Sequence, residues 1–129
     1  MSRLDEFLAL PDVSEERIDI YVNERLGTFK IKPMSNKDWS GYRKQCMGKI
    51  KKGGTDFDSE RFNTLIIAEQ TVEPNFRDAA FLEKAGCNTA REFIERKFLA
   101  GEIADIAEKI TKESGFDSDI NEDIEEAKN

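Results

Sequence analysis

The chain contains no histidine, only two cysteines and three prolines, and a single tryptophan among 129 residues. The missing histidine removes the commonest general base and the commonest metal ligand. The cysteines, Cys46 and Cys87, lie too far apart for a C-x-x-C and have no second pair beside them, so neither a zinc site nor a disulfide framework is indicated. Both read as small buried apolar residues. No purely apolar run exceeds four residues, as in Leu65–Ala68, and a membrane span needs about 20. The N-terminus turns acidic at Asp5-Glu6 without the apolar stretch of a signal peptide. The expectation is a chain made and kept in a cytoplasm, with no membrane partner. G-x-S-x-G, G-x-x-x-x-G-K and G-x-G-x-x-G are all absent, so the chain reads as no enzyme, with no catalytic residue, metal or cofactor assigned.

What is present is charge. Charged residues make up 36% of the chain against 38% hydrophobic, and the net charge is −7. It is unevenly spread: residues 1–29 hold three bases and seven acids, whereas residues 30–52 hold eight bases and one acid, a local +7. Residues 116–129 hold one base and six acids. The bulk charge does not suit nucleic acid, and only the 30–52 segment could touch phosphates. Trp39 and Tyr42 in that segment could be stacking residues. They share a helical stripe with Cys46 and Ile50, however, and core aromatics behind a solvated lysine face are the preferred meaning. Asp56, Asp58 and Glu60 alternate as in a calcium loop, but Arg61 and Ile67 stand where its glycine and closing glutamate belong, so a helix start is preferred.

Periodicity gives the elements. Ser2 caps a short helix to Leu10, with Asp5 three residues later and Leu4, Phe7 and Leu8 on one face; Pro11 ends it. Residues 17–22 alternate, Ile18, Ile20 and Val22 against Arg17, Asp19 and Tyr21. Thr28–Lys32 alternates again after Gly27, which suits a tight antiparallel hairpin. Ser35 caps a helix predicted to run to Gly53-Gly54. Asp58 caps another, with Phe62, Leu65, Ile66 and Val72 on its apolar face. Asp78 starts a two-turn helix closed by Gly86. Thr89–Glu92 is a capping box before Ala90, Phe93, Ile94 and Phe98. Leu99-Ala100-Gly101 interrupts, and Ile103, Ile106, Ala107 and Ile110 resume the stripe to a Gly115-Phe116 cap. The class is α+β: an N-terminal antiparallel hairpin on a bundle of four to five short helices over residues 1–116, with 117–129 a disordered acidic tail.

Nine phenylalanines are many for this length, and most must be core. The crowding of Phe93, Phe98, Ile103, Ile106 and Ile110 into two adjoining helices makes these five the candidate partner-binding residues, exposed in part or covered by a second copy. Gly27–Pro33, Glu73–Asp78, Gly86–Glu92, Leu99–Ile103 and Ser114–Phe116, in that order and spacing, resemble the XkdN-like tail assembly chaperones of tailed phages and prophages, over roughly residues 1–116. The resemblance implies a non-catalytic protein of the bacterial host cytoplasm, absent from the mature virion. It would bind the long, helical tape measure protein and keep it soluble while tail tube subunits polymerise. It also implies a longer, frameshifted product whose extra domain recruits the tail tube protein. Ala127-Lys128-Asn129 can be encoded on a slippery A-AAA-AAC run, although an ordinary gene end is the preferred reading. A homo-oligomer is left open, and the alternative function is a small nucleic-acid-associated or regulatory protein using residues 30–52.

Overall fold

A computed structural model describes residues 2–49 and 55–116. The chain runs through helix α1 (Arg3–Leu8), a 3-10 turn (Val13–Glu15), strands β1 (Ile18–Asn23) and β2 (Gly27–Ile31), helix α2 (Asn36–Gln45), and strands β3 (Met47–Lys49) and β4 (Thr55–Phe57). Helix α3 (Ser59–Gln70), strand β5 (Thr71–Glu73) and helices α4 (Ala79–Ala85), α5 (Ala90–Lys97) and α6 (Ala100–Glu113) follow. The class is α+β, with six α-helices among the described residues. None of the described helices is long and apolar enough to cross a membrane.

The hairpin forms where the alternation places it. β1 and β2 are antiparallel, with Ile20 opposite Phe29 and Ile18 opposite Ile31. Ile20, Val22, Phe29 and Ile31 are buried, while Asp19, Tyr21, Thr28 and Lys30 face outward. Gly27 takes the left-handed φ of +76° that the bend demands.

Two strands alone are marginal in water, and here β2 gains a neighbour, β5, in the order β1-β2-β5. Val72 therefore belongs to a strand rather than to the apolar face of the preceding helix. The exchange begins where the Lys32 amide donates to the Gln70 carbonyl at 2.9 Å, so the chain leaving α3 pairs along β2.

Helix α2 likewise stops short of the predicted Gly53-Gly54. The Cys46 amide closes its last turn on the Tyr42 and Arg43 carbonyls, and the Asp58 amide donates to the Cys46 carbonyl at 2.8 Å. Met47–Lys49 then pairs antiparallel with Thr55–Phe57. Ile50, Gly53-Gly54 and the acidic tail 117–129 lie outside the described residues.

Ala100 and Gly101 form the first turn of α6 rather than an interruption, because the Glu102 carboxylate reaches back to accept from the Leu99 amide at 2.8 Å. The core lies between the three-stranded sheet and the helices. α3 packs on α6 and α5, and α6 also packs on β1. Ile66 and Ile67 of α3, Ile94 of α5, and Ile106 and Ile110 of α6 are fully enclosed with Ile31. Each such side chain contributes about 1.5–3 kcal/mol by leaving water.

Candidate docking surface

The surface around α5 and the start of α6 is set by caps. Asp78 Oδ1 accepts from the Phe81 amide at 3.0 Å and starts α4. Gly86, at φ +72°, turns the chain out of that helix. Thr89 Oγ1 accepts from the Glu92 amide at 3.1 Å, while the Glu92 carboxylate accepts from the Asn88 amide at 2.9 Å, one residue before the position a reciprocal box would use. These bonds fix the entry of α5 and hence the side on which its aromatic rings fall.

The rings form a ladder from core to surface. Buried Phe76 meets Phe29 and Phe98 at centroid distances of 5.6 Å and Phe93 at 6.0 Å. Phe93 in turn meets Phe81 edge-on at 4.7 Å. Phe93 and Phe98 are half-buried, Phe81 is exposed, and Leu99 is 65% exposed. Of these, Phe98 also lines an open groove of about 590 Å³, together with Glu60, Asn63 and Thr64 of α3, Glu95 of α5, and Ile103 of α6.

The groove's α6 wall is anchored by Glu102. Its buried carboxylate accepts from the Arg25 guanidinium through both Nε, at 3.0 Å, and Nη2, from Asn23 Nδ2 at 2.8 Å, and from the Leu99 amide. The Arg25 bond first, and then those of Leu99 and Asn23, hold its pKa down at about 2 against the opposing effect of burial. The hairpin turn is thereby tied to the N-terminus of α6, where a carboxylate also suits the helix dipole.

Of the five residues singled out in the sequence, Phe93, Phe98 and Ile103 are half-exposed, and the structure brings Phe98 and Ile103 together in the groove while Phe93 packs between Phe76 and Phe81. Ile106 and Ile110 are 0% exposed and belong to the core. Sequence periodicity treated the three isoleucines as equivalents, yet only Ile103 reaches the groove. Phe81 and Leu99 were missed. Leu99 carried a signal in retrospect, a large apolar residue at the junction of two helices.

The basic segment resolves differently. Trp39 meets Phe62 edge-on at 5.2 Å and packs on Phe116 at 4.6 Å. The Tyr42 hydroxyl donates to Gln70 Oε1 at 2.5 Å. Burial first, then the charges of Asp38 and Glu69, push the Tyr42 phenol up to about 12. Both rings are half-buried and engaged by the chain's own residues, Tyr42 by Gln70 and Trp39 by Phe62, Phe116 and the Arg43 guanidinium. Cys46 and Cys87 are both buried and unpaired with each other, and burial pushes the Cys46 thiol up. Asp58 caps α3, its Oδ1 accepting from the Arg61 amide at 3.0 Å.

Comparison with known proteins adds an independent line. A family model described as phage XkdN-like tail assembly chaperone protein matches residues 4–128. It thus takes in the acidic C-terminal stretch that the motif resemblance left outside. The uncharacterized protein YqbN of Bacillus subtilis strain 168 is 29% identical over 108 residues, 83% of this chain and 69% of that protein. The phage-like element PBSX protein XkdN of the same organism is 34% identical over 83 residues, 64% of this chain and 53% of that protein. The chain thus spans between about half and two thirds of the length of these curated relatives. The crystal structure of YqbN superposes with a TM-score of 0.69 over 91% of this chain and 99% of that one, at 22% identity, and so shares the fold.

Proposed function

The chain belongs to the phage XkdN-like tail assembly chaperone family, and from that premise we propose that it binds the tape measure protein through the α5–α6 groove and keeps it soluble during tail assembly. One observation carries the reading: Phe98 and Ile103 stand half-exposed in the groove, with exposed Leu99 next to Phe98 in the chain at the capped start of α6. An open groove between helices with an apolar wall of Phe98, Ala100, Ile103 and Ala104 and a polar wall opposite suits an amphipathic helix. Its rim acids, Glu60 and Glu95, favour a helix flanked by bases. The role is non-catalytic and belongs in the host cytoplasm, not in the finished virion. A frameshifted longer product would bring the tail tube protein to the complex.

Co-expression tests the reading. With the chain present, the tape measure protein of the same phage stays in the supernatant and co-purifies with it. A tape measure protein that pellets equally with and without the chain overturns the proposal.

A further inference from the structure

The N-terminal arm is the part of the molecule that its own core does not use. Every residue from Ser2 to Arg17 is exposed, and α1 buries none. Yet α1 is built as a docked helix is built. Ser2 Oγ accepts from the Asp5 amide at 3.2 Å, and Asp5 Oδ2 accepts from the Ser2 amide at 3.1 Å. Arg3 pairs with Glu6 at 2.6 Å. Leu4, Phe7 and Leu8 fall on one face at 75%, 53% and 83% exposure, and Leu10 follows at 62%. Isolated helices shorter than ~12–15 residues are marginal in water and draw their stability from packing an apolar face. Among the described residues, nothing packs closely on this one. Residues 2–16 carry one base and five acids, a net −4.

The opposite character lies elsewhere on the same chain. Lys37, Arg43 and Lys44 of α2 are exposed, and Met47 at the start of β3 is exposed beside them in sequence. The same region presents a strip of rings: Phe57 to Phe62 at 5.3 Å, Phe62 to Trp39 at 5.2 Å, Trp39 to Phe116 at 4.6 Å. Phe62 is buried, but Phe57, Trp39 and Phe116 are half-exposed. The Arg43 guanidinium lies over both Trp39 and Phe57, at 5.7 and 5.8 Å. This is an apolar seat with a cationic rim, set against an apolar helix with acidic flanks.

We infer that the N-terminal arm of one copy docks on the α2–β3 face of a second copy, so that the chain self-associates by exchanging arms. Within one chain the arm is exposed along its length and the seat rings are half-exposed, so the arm does not occupy its own seat. A reciprocal exchange would cover both arms at once, Leu4, Phe7, Leu8 and Leu10 of each, and complementary charge would orient them. The surface is separate from the α5–α6 groove, so the inference does not rest on client binding there.

Sedimentation of the full chain over a concentration range tests it. The wild type should run at twice the monomer mass. Leu4→Asp with Leu8→Asp should run as a monomer with an unchanged far-ultraviolet circular dichroism spectrum, since both side chains are exposed in the single chain and its core does not use them. Arg43→Glu with Lys44→Glu should also be monomeric. Mixing the arm variant with the seat variant should restore part of the dimer, because each mixed pair keeps one intact arm and one intact seat. A wild type that stays monomeric at every concentration overturns the inference, whether the seat is then covered by the chain's own acidic C-terminal stretch or left for another partner. So does an arm variant that remains dimeric.

Discussion

Arg25 and Glu102 are 77 positions apart in sequence, yet the guanidinium of one grips the carboxylate of the other in a two-point contact, with Nε to Oε2 at 3.0 Å. Glu102 is buried while Arg25 is about half exposed, so the pair joins the hairpin turn to α6 at the edge of the core. Its pKa is lowered from the ordinary 4.5 to about 2. Below about 4.5 the unfolded chain takes up a proton that the folded one refuses. The stabilisation is therefore fully present above that pH and is lost as pH falls toward 2. Glu102→Gln should be less stable than wild type at neutral pH, and the gap should close on acidification. Urea midpoints measured from neutral pH to about pH 3 check this; a gap that persists unchanged in acid counts against it.

Gln70 fixes a second junction. It is fully buried, its Nε2 donating to the Lys32 and Pro33 carbonyls at 2.9 and 3.2 Å and its Oε1 accepting from Tyr42. Tyr42→Phe leaves that oxygen without a partner, which should cost about 1–3 kcal/mol. The Tyr42 phenol is raised from 10.0 to about 12. Wild type thus loses stability as pH rises from the unfolded value toward the folded one, whereas the variant, having no phenol, does not. The difference between them should shrink above about pH 10, as alkaline denaturation curves would show.

Local signals were legible because they are local. Ser2 with Asp5, Ser35 with Asp38, Asp58, Asp78 and Thr89 all cap the helices they were expected to cap. The β1–β2 alternation likewise fixed which side chains are buried. β3, β4 and β5 escaped because each has three residues, too few to show a period of two, and each lies beside a helical stripe that seemed to absorb it. Partnering was illegible for a different reason. Leu4, Phe7 and Leu8 share a stripe as regular as that of Ile103, Ile106 and Ile110. Whether a stripe finds cover depends on the path of the rest of the chain, which periodicity does not encode.

The C-terminal cap of α6 offers a third test. Gly115 takes φ +102°, the Phe116 amide donates to the Thr111 carbonyl at 3.3 Å, and the Phe116 ring lands 4.6 Å from Trp39. Ser114 Oγ also accepts from the Met34 amide at 2.9 Å, tying the helix end to the chain leaving β2. Phe116→Ala removes a half-buried ring and an aromatic pair, a loss of about 1–2 kcal/mol. Trp39 is the one tryptophan, so its fluorescence reports the change directly. Emission should shift to the red in the folded variant as water reaches the indole.

The last prediction separates packing from docking within one helical segment. Ile106 is 0% exposed and Leu99 is 65% exposed, although both are large aliphatic residues at the start of, or inside, α6. Truncating Ile106 to Ala leaves a cavity between α6, α3 and the sheet, and should cost about 2–5 kcal/mol. Leu99→Asp removes little buried area; its amide, not its side chain, makes the bond to Glu102. Its effect on stability should stay within about 0.5 kcal/mol. If the α5–α6 groove holds the tape measure protein, Leu99→Asp should lower recovery of soluble tape measure protein on co-expression at unchanged melting midpoint. Ile106→Ala should lower both together. A Leu99→Asp chain that folds normally and retains its client as well as wild type would move the docking site away from this groove.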